Sequence, residues 1–158
     1  MLSFPTQSIA AGAVHVQGDL DRDDQCWIEG DLRPNKAIRV TGRVSSAGQG
    51  RYYFSGNFVG RATVECRRCL QDVDVEVGAD AHLLFADDDT ETEGDPDVYP
   101  LAVGRSGESV DLRPAIREQW LLEVPAFVLC TPACKGLCPT CGTNLNTGAC
   151  SCAPTANE

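Results

Sequence analysis

The chain has 158 residues, a formal net charge of −10 and nine cysteines. Its length predicts one domain with a small appendage. No apolar run approaches the roughly 20 residues that a membrane helix needs. A signal peptide is not expected either, because the sequence shows no basic start followed by a continuous apolar stretch. We therefore expect a cytoplasmic protein with no membrane contact. Because cytosolic thiols stay reduced, the many cysteines favour metal binding over disulfides, and their odd number points the same way.

Charge is distributed very unevenly along the chain. Between Leu32 and Cys69 one acid, Glu65, accompanies eight basic residues: Arg33, Lys36, Arg39, Arg43, Arg51, Arg61, Arg67 and Arg68. From Gln71 to Gly104 there are eleven acids and no lysine or arginine. These stretches are either two solvated faces of one sheet that attract each other, or a basic surface for phosphates beside an acidic segment that limits nonspecific binding.

Alternation of apolar and polar residues predicts β-strands in the middle of the chain. We expect strands over residues 37–45, 51–55, 58–65, 70–77 and 81–86, with glycine-containing turns at 47–50 and 55–57. The segment 66–69 lies between two alternating runs, which predicts a hairpin turn there. Residues 87–100 are too acidic and too poor in apolar side chains to pack, so a mobile loop is expected.

One main helix is predicted over residues 111–124. Asp111 fits the N-cap position, and Pro114 lies in the first turn, where a proline forfeits no intrahelical hydrogen bond. Leu112, Ile116 and Trp120 recur at four-residue spacing. They form an apolar stripe that is expected to face the core.

Eight of the nine cysteines form a regular array: Cys66, Cys69, Cys130, Cys134, Cys138, Cys141, Cys150 and Cys152. In Cys-x2-Cys spacing two thiolates reach one ion from a tight turn whose backbone N–H groups donate to the sulfurs. The segment 138–142 fits this form, because Pro139 stiffens the turn and Gly142 can take a positive φ. Eight thiolates suit two tetrahedral, structural zinc ions. Cys26 stands apart and is expected to be a small buried hydrophobe beside Trp27.

The favoured partition has two sites. The tail site comprises Cys138, Cys141, Cys150 and Cys152, whose short loops cost little entropy. The hairpin site comprises Cys66, Cys69, Cys130 and Cys134, and would cross-link the hairpin turn to the segment after the helix. A ribbon that pairs Cys66 and Cys69 with Cys138 and Cys141 is the alternative. Beside these sites, Arg67, Arg68 and Lys135 would neutralise thiolate charge, or the two arginines would contact RNA.

Together these patterns predict an α+β fold, mostly β. It would be an antiparallel sheet or partial barrel with one main helix and a Cys-rich, zinc-binding C-terminal segment. Residues 1–129 would form the β-rich domain. Residues 130–158 would form a Cys-rich tail that packs on the hairpin turn at 66–69.

Enzymatic function finds little support in the sequence. Cys134, Cys138 and Cys141 have the spacing of the radical-SAM motif, but only 17 residues follow Cys141, which leaves no room for the catalytic barrel. There is no nucleotide-binding glycine loop or nucleophile elbow, and His15 and His82 are far apart and expected to be strand residues without a catalytic role. An iron–sulfur electron carrier remains the alternative, because cysteine ligands alone do not exclude iron.

Several segments taken in order resemble a known family. They are Val64-Glu65-Cys66-Arg67-Arg68-Cys69-Leu70, Asp111-Leu112-Arg113-Pro114 with Ile116-Arg117-Glu118-Gln119, Cys134-Lys135-Gly136-Leu137-Cys138-Pro139-Thr140-Cys141-Gly142-Thr143-Asn144-Leu145-Asn146, and Cys150-Ser151-Cys152. On these motifs the chain resembles the YceD family of large ribosomal RNA accumulation proteins. The resemblance implies a non-catalytic role in 23S rRNA accumulation or processing, hence in large-subunit biogenesis.

The resemblance also implies the partners. We expect precursor 23S rRNA or an assembling large-subunit ribosomal protein, and no small-molecule substrate. Arg61, Arg67 and Arg68 are the candidate RNA-binding residues. A third hypothesis is an adaptor whose acids hold basic ribosomal proteins by charge complementarity. Those acids are the segment 87–97 and Asp19, Asp21, Asp23, Asp24, Glu29 and Asp31.

Overall fold

The computed structural model describes residues 1–87 and 97–152. The chain divides into two compact units. The first unit comprises Met1–Ala62 and Glu76–Val124, and the second comprises Thr63–Val75 and Pro125–Glu158. No helix in the described ranges is long and apolar enough to cross a membrane.

The described residues are mostly β, as predicted, and form two sheets and two helices. The smaller sheet has the strand order β1-β8-β7, and the larger has the order β2-β3-β4-β5-β6. The strands are β1 Ser3–Pro5, β2 Val14–Leu20, β3 Ile38–Ser46, β4 Arg51–Glu65, β5 Asp72–Ala86, β6 Val98–Pro100, β7 Ala102–Gly104 and β8 Gly107–Asp111. The helices are α1 Thr6–Ala10, which the sequence did not predict, and α2 Leu112–Glu123.

The larger sheet is open and mixed rather than purely antiparallel. Strand β6 pairs in parallel with β5, with Leu84 opposite Val98. In the described part of the chain the strand order ends at β2 and at β6, so the predicted partial barrel is not confirmed. Residues 98–100, predicted as the end of an acidic loop, form β6 instead, and residues 88–96 of that loop lie outside the described residues.

Strand β4 is continuous, so the turn predicted at residues 55–57 is wrong. Gly56 lies directly opposite Gly42 of β3. A Cβ atom on Gly56 would come within 2.7 Å of the Phe54 ring, and one on Gly42 within 2.9 Å of the same ring. The glycine pair therefore makes room for a buried aromatic side chain between neighbouring strands rather than allowing the chain to reverse.

Strand β5 also runs without the interruption predicted between 77 and 81. A Cβ atom on Gly78 would lie 2.7 Å from the carbonyl oxygen of Phe58. The glycine thus permits close approach of β5 to β4. A glycine in a strand interior can mark such a close approach of another backbone.

Helix α2 lies where the four-residue spacing predicts it. The Asp111 carboxylate accepts a hydrogen bond from the Arg113 backbone N–H at 3.1 Å, which caps the first turn. Leu112, Ile116 and Trp120 are fully buried. The Trp120 indole N–H donates to the carbonyl oxygen of Leu32 at 2.8 Å, which satisfies the one polar atom of this side chain.

Two arginines of α2 are held by acids of the same unit. Arg117 binds Asp31 through two hydrogen bonds of 2.6 and 2.8 Å. These bonds lower the pKa of the Asp31 carboxyl group. Arg113 binds Asp111 at 2.7 Å and Asp24 at 3.4 Å. Both guanidinium groups of the predicted family motif therefore stabilise the first unit.

We expect Gly60→Ala to destabilise the first unit. A Cβ atom on Gly60 would lie 2.8 Å from the Trp120 ring, which is fully buried and cannot move away. Overpacking of this kind costs about 1–3 kcal/mol. The control is Gly104→Ala, whose Cβ atom has no neighbour closer than 3.9 Å. Urea unfolding followed by tryptophan fluorescence measures both, because Trp27 and Trp120 belong to this unit. Equal stability of the two variants would contradict the packing argument.

Candidate metal centres

The two Cys-x2-Cys turns have the same backbone hydrogen bonds. The Cys66 N–H donates to the Gln71 carbonyl oxygen at 2.8 Å, and the Leu70 N–H donates back to the Cys66 carbonyl oxygen at 3.0 Å. In the second turn the Cys138 N–H donates to Thr143 at 2.8 Å, and the Gly142 N–H donates to Cys138 at 2.9 Å. The same turn structure therefore presents one pair of thiols in the hairpin site and another pair in the tail site.

The residue after each turn has a left-handed backbone. Gly142 has a φ of 74°, and Leu70, at the corresponding position, has a φ of 61°. Glycine adopts this conformation without steric cost, whereas a Cβ atom strains it. Both turns need a left-handed backbone at this position, and Leu70 adopts it less favourably than Gly142 does.

The hairpin site brings four sulfur atoms within 4.8 Å of one another. The distance between Cys66 Sγ and Cys134 Sγ is 3.7 Å, and that between Cys69 Sγ and Cys130 Sγ is 3.6 Å. A tetrahedral zinc ion with bonds of about 2.3 Å separates its sulfur ligands by about 3.8 Å. A disulfide would need about 2.05 Å, and all four cysteines are free thiols.

Hydrogen bonds within the second unit hold the hairpin site in place. The Arg67 N–H donates to the Val128 carbonyl oxygen at 2.8 Å, and the Arg68 guanidinium donates to the Cys134 carbonyl oxygen at 3.0 Å. The Asn146 side-chain amide donates to Cys134 Sγ at 3.3 Å, and its oxygen accepts from the Lys135 N–H at 2.8 Å. Asn146 was not a predicted site residue, although it lies inside the resembling motif.

The tail site also gathers its four sulfurs within 4.8 Å. Cys138 is buried and Cys141 is exposed, so this site is the more open to solvent. The Thr143 hydroxyl lies 3.1 Å from Cys141 Sγ and lowers the pKa of that thiol. Gly136, at a φ of 76°, accepts from the Leu145 N–H at 2.9 Å and closes the loop.

Backbone N–H groups favour the thiolate form of the first cysteine in each turn. The N–H of Cys69 donates to the Cys66 sulfur and lowers its pKa to about 6. The N–H of Cys141 does the same for Cys138, whose pKa is also lowered to about 6. Four thiols this close cannot all ionise without a cation, because like charges oppose one another. Each cluster could therefore hold one cation.

The structure groups the cysteines as in the favoured partition. Cys66 and Cys69 lie with Cys130 and Cys134, not with Cys138 and Cys141 as in the ribbon alternative. Cys26 belongs to the first unit and to neither cluster, and it is half-buried rather than buried. Burial raises the pKa of its thiol to about 12.

The second unit has almost no other core. Among its described residues, the buried ones are Gly136 and four cysteines of the two sites: Cys66, Cys69, Cys134 and Cys138. Val73, Leu129 and Leu137 are partly buried against the hairpin site. The largest fully buried side chains of the described chain all belong to the first unit. The second unit thus buries cysteine side chains where the first unit buries large apolar ones.

The candidate RNA-binding arginines fall in different units. Arg61 is exposed in the first unit and lines an open groove with Lys36 and Glu76. Arg67 and Arg68 are exposed in the second unit. Acids of the predicted acidic stretch, such as Glu76, occupy the exposed face of β5. The basic strands β3 and β4 and the acidic strand β5 are thus neighbours in one sheet.

Comparison with known proteins identifies the family. A family profile described as "Large ribosomal RNA subunit accumulation protein YceD" matches residues 54–158. The chain belongs to the YceD family. The matched range includes both cysteine clusters.

Two groups of relatives accompany this YceD match. A protein of Zea mays named "Large ribosomal RNA subunit accumulation protein YCED homolog 1, chloroplastic" is 30% identical over 123 residues, covering 58% of this chain and 41% of its own. Uncharacterized proteins of Mycobacterium bovis and Mycobacterium tuberculosis are 36% identical over 104 residues, covering 65% of this chain and 49% of theirs. The chain thus spans less than half the length of these curated relatives. No solved structure matches it.

We expect Gly142→Ala to weaken the tail site selectively. A Cβ atom at Gly142 meets nothing within 4 Å, so the cost comes only from its left-handed backbone. That cost is about 1 kcal/mol, which corresponds to about fivefold weaker Zn(II) binding. Gly148→Ala is the matched control, because its site is equally open and its φ lies outside the left-handed range. Competition with a chromophoric chelator measures both affinities. Equal affinities in the two variants would refute the role of the backbone conformation.

Proposed function

We propose that this YceD family member is a non-catalytic factor that promotes accumulation or processing of 23S rRNA during large-subunit biogenesis. Two structural zinc ions hold its second unit together. The observation that carries the proposal is the pair of four-cysteine clusters within the region that matches the family. The name of the family and that of the Zea mays relative support the process.

The sulfur geometry favours single ions over an iron–sulfur cluster. In a four-iron cluster each cysteine binds a different iron, so the sulfurs lie outside the cluster and farther apart than around one ion. Separations of 3.6 and 3.7 Å in the hairpin site fit a shared mononuclear ion. Among such ions zinc is the usual partner of four thiolates in structural sites.

Coordination by four thiolates supports a role without catalysis. A catalytic zinc site keeps an open position for water or substrate, and a site with four protein ligands has none. The protein would work in the cytoplasm, where free thiols stay reduced and remain available as ligands.

Arg67 is the best candidate for RNA contact at the hairpin turn. Its side chain is exposed, and within residues 1–87 and 97–152 the hydrogen bond found for it is that of its backbone N–H to Val128. The guanidinium of Arg68 instead donates to Cys134, so Arg68 serves the metal site as well. Arg61, exposed beside Lys36, offers a further phosphate contact in the first unit.

The adaptor hypothesis receives less support. Four of the six N-terminal acids pair with arginines of the same chain: Asp19, Asp23, Asp24 and Asp31. Their charges are already compensated in part, which weakens any attraction for basic ribosomal proteins. RNA remains the better supported partner.

Metal analysis tests the proposed cofactor. We expect about two zinc ions per chain in a colourless preparation, whereas a brown protein containing iron would overturn the zinc assignment.

Chelation should remove hydrogen-exchange protection from residues 63–75 and 125–152, because coordination is the main source of their stability. Tryptophan fluorescence should not change, since Trp27 and Trp120 belong to the first unit. That signal is the internal control.

Charge reversal tests the proposed RNA contact. Arg67→Glu should lower the ratio of 23S to 16S rRNA towards that of cells lacking the protein. In vitro it should reduce the salt dependence of binding to 23S rRNA fragments by about one unit of slope. Arg105→Glu is the control, because Arg105 is exposed between β7 and β8. Both variants should keep the metal content of the unchanged protein. An undiminished rRNA ratio with Arg67→Glu would count against the contact.

A further inference from the structure

One end of the exposed face of the larger sheet carries two neighbouring rings. Tyr53 of β4 and His82 of β5 lie nearly parallel, with 12° between their planes and 6.1 Å between their centroids. The Tyr53 hydroxyl and His82 Nδ1 are 3.0 Å apart, and the Ser55 hydroxyl lies 3.3 Å from the same nitrogen. Tyr53 is 37% exposed. These hydrogen bonds hold two solvent-accessible rings in nearly parallel planes.

The residues on either side of these rings along β5 show that this is the outer face. Ala81 and Leu83 are buried, whereas His82 between them is exposed. On β4, Phe54 is fully buried while Tyr53 and Ser55 are exposed. The rings are therefore not needed to fill the core.

Cationic side chains occupy the same end of the same face. On β3, Arg43 lies opposite Ser55 of β4 and opposite His15 of β2. Arg51 precedes Tyr53 by two residues on β4 and so shares its face. Neither arginine forms an ion pair within residues 1–87 and 97–152. The chain has no acid between Leu32 and Val64, so this end of β3 and β4 carries only basic charges, whereas Asp80 of β5 lies two residues from His82 on the same exposed face.

We propose that this surface binds single-stranded RNA. We name it the Tyr53–His82 face, formed by His15, Arg43, Arg51, Tyr53, Ser55 and His82. Unpaired bases stack on exposed rings of a sheet, and arginines beside the rings contact the phosphates. The inference rests on the proposed function in taking RNA as the partner, and it adds a binding surface in the first unit that is distinct in sequence from the hairpin turn.

Two features of the face favour unpaired RNA over other anionic partners. An acidic protein segment would use the arginines but has no need of two nearly parallel rings. The bases of double-stranded RNA are stacked on one another and so cannot stack on protein rings. A single strand uses both the rings and the cations.

Binding of a fluorescein-labelled 12-nucleotide uridine strand to the full, metal-containing chain tests the proposal by fluorescence anisotropy. Tyr53→Leu should weaken binding about tenfold, because a stacked base is worth roughly 1–3 kcal/mol. Tyr53→Phe keeps the ring but loses the hydroxyl contact with His82, so it should bind more tightly than Tyr53→Leu and no more tightly than the unchanged protein. Arg43→Gln and Arg51→Gln should each lower the salt slope by about 0.7, the value for a phosphate of a single strand. Arg105→Gln is the control and should change neither quantity.

A second measurement does not depend on substitution. Ultraviolet cross-linking of a 4-thiouridine strand, followed by mass spectrometry, should label peptides that contain Tyr53 or His82. Circular dichroism melting of Tyr53→Leu should match that of the unchanged protein, since the side chain is not part of the core. A loss of binding with an unchanged melting temperature then reports the contact itself.

The outcomes separate this inference from the proposed function. Absence of binding by the unchanged chain would overturn the proposal that the Tyr53–His82 face binds RNA, but not the proposed function. Equal binding by Tyr53→Leu, with cross-links confined to the Arg67 peptide, would have the same consequence. Equal affinity for polyglutamate, lost in the same variants, would assign the face to a protein partner and also overturn it. The 23S rRNA ratio of Arg67→Glu cells tests the proposed function independently of these results.

Discussion

Four sulfur atoms held within 4.8 Å of one another are the constraint on which the second unit depends. Ionised thiols at this separation repel, and neutral thiols provide few strong contacts, so the arrangement calls for a cation. The first unit has no such need, because Phe54, Phe58 and Trp120 provide a conventional apolar core. The second unit buries four cysteines and Gly136 in their place. If the clusters hold metal, as proposed, the free energy of binding contributes directly to the folding of this unit.

The strands could largely be predicted from the sequence, because side chains of a half-buried strand alternate between core and solvent. The continuity of β4 and β5 could not be predicted. Gly56 and Gly78 are turn signals in sequence, yet in the structure they are the places where strands approach closely. The difference depends on a partner strand, such as the one that places Gly42 opposite Gly56, and no local pattern contains that information. The parallel pairing of β6 with β5 was missed for the same reason.

The grouping of the eight cysteines could be predicted because loop closure and thiolate geometry restrict the choices. The contacts that hold the sulfurs in place could not. Asn146 donates to Cys134 Sγ, and Arg68 donates to the Cys134 carbonyl oxygen. Both depend on distant segments that meet only in the fold. Sequence spacing identifies the ligands of such a site, whereas tertiary structure determines the hydrogen bonds that tune each thiol.

The same limit applies to the arginines, and it changes how the net charge of −10 is interpreted. Arg113 and Arg117 are cations of the family motif, but carboxylates of the first unit already bind them. Arg43 and Arg51 have no such partner in the described chain and lie on an open sheet. A count of charges treats these residues as equivalent, although only unpaired cations can release the counterions of a phosphate backbone without first breaking an ion pair. An acidic protein can therefore bind RNA where strand register places unpaired arginines side by side. The negative net charge then restricts the area of protein surface that can contact RNA, but it does not prevent contact at such a site.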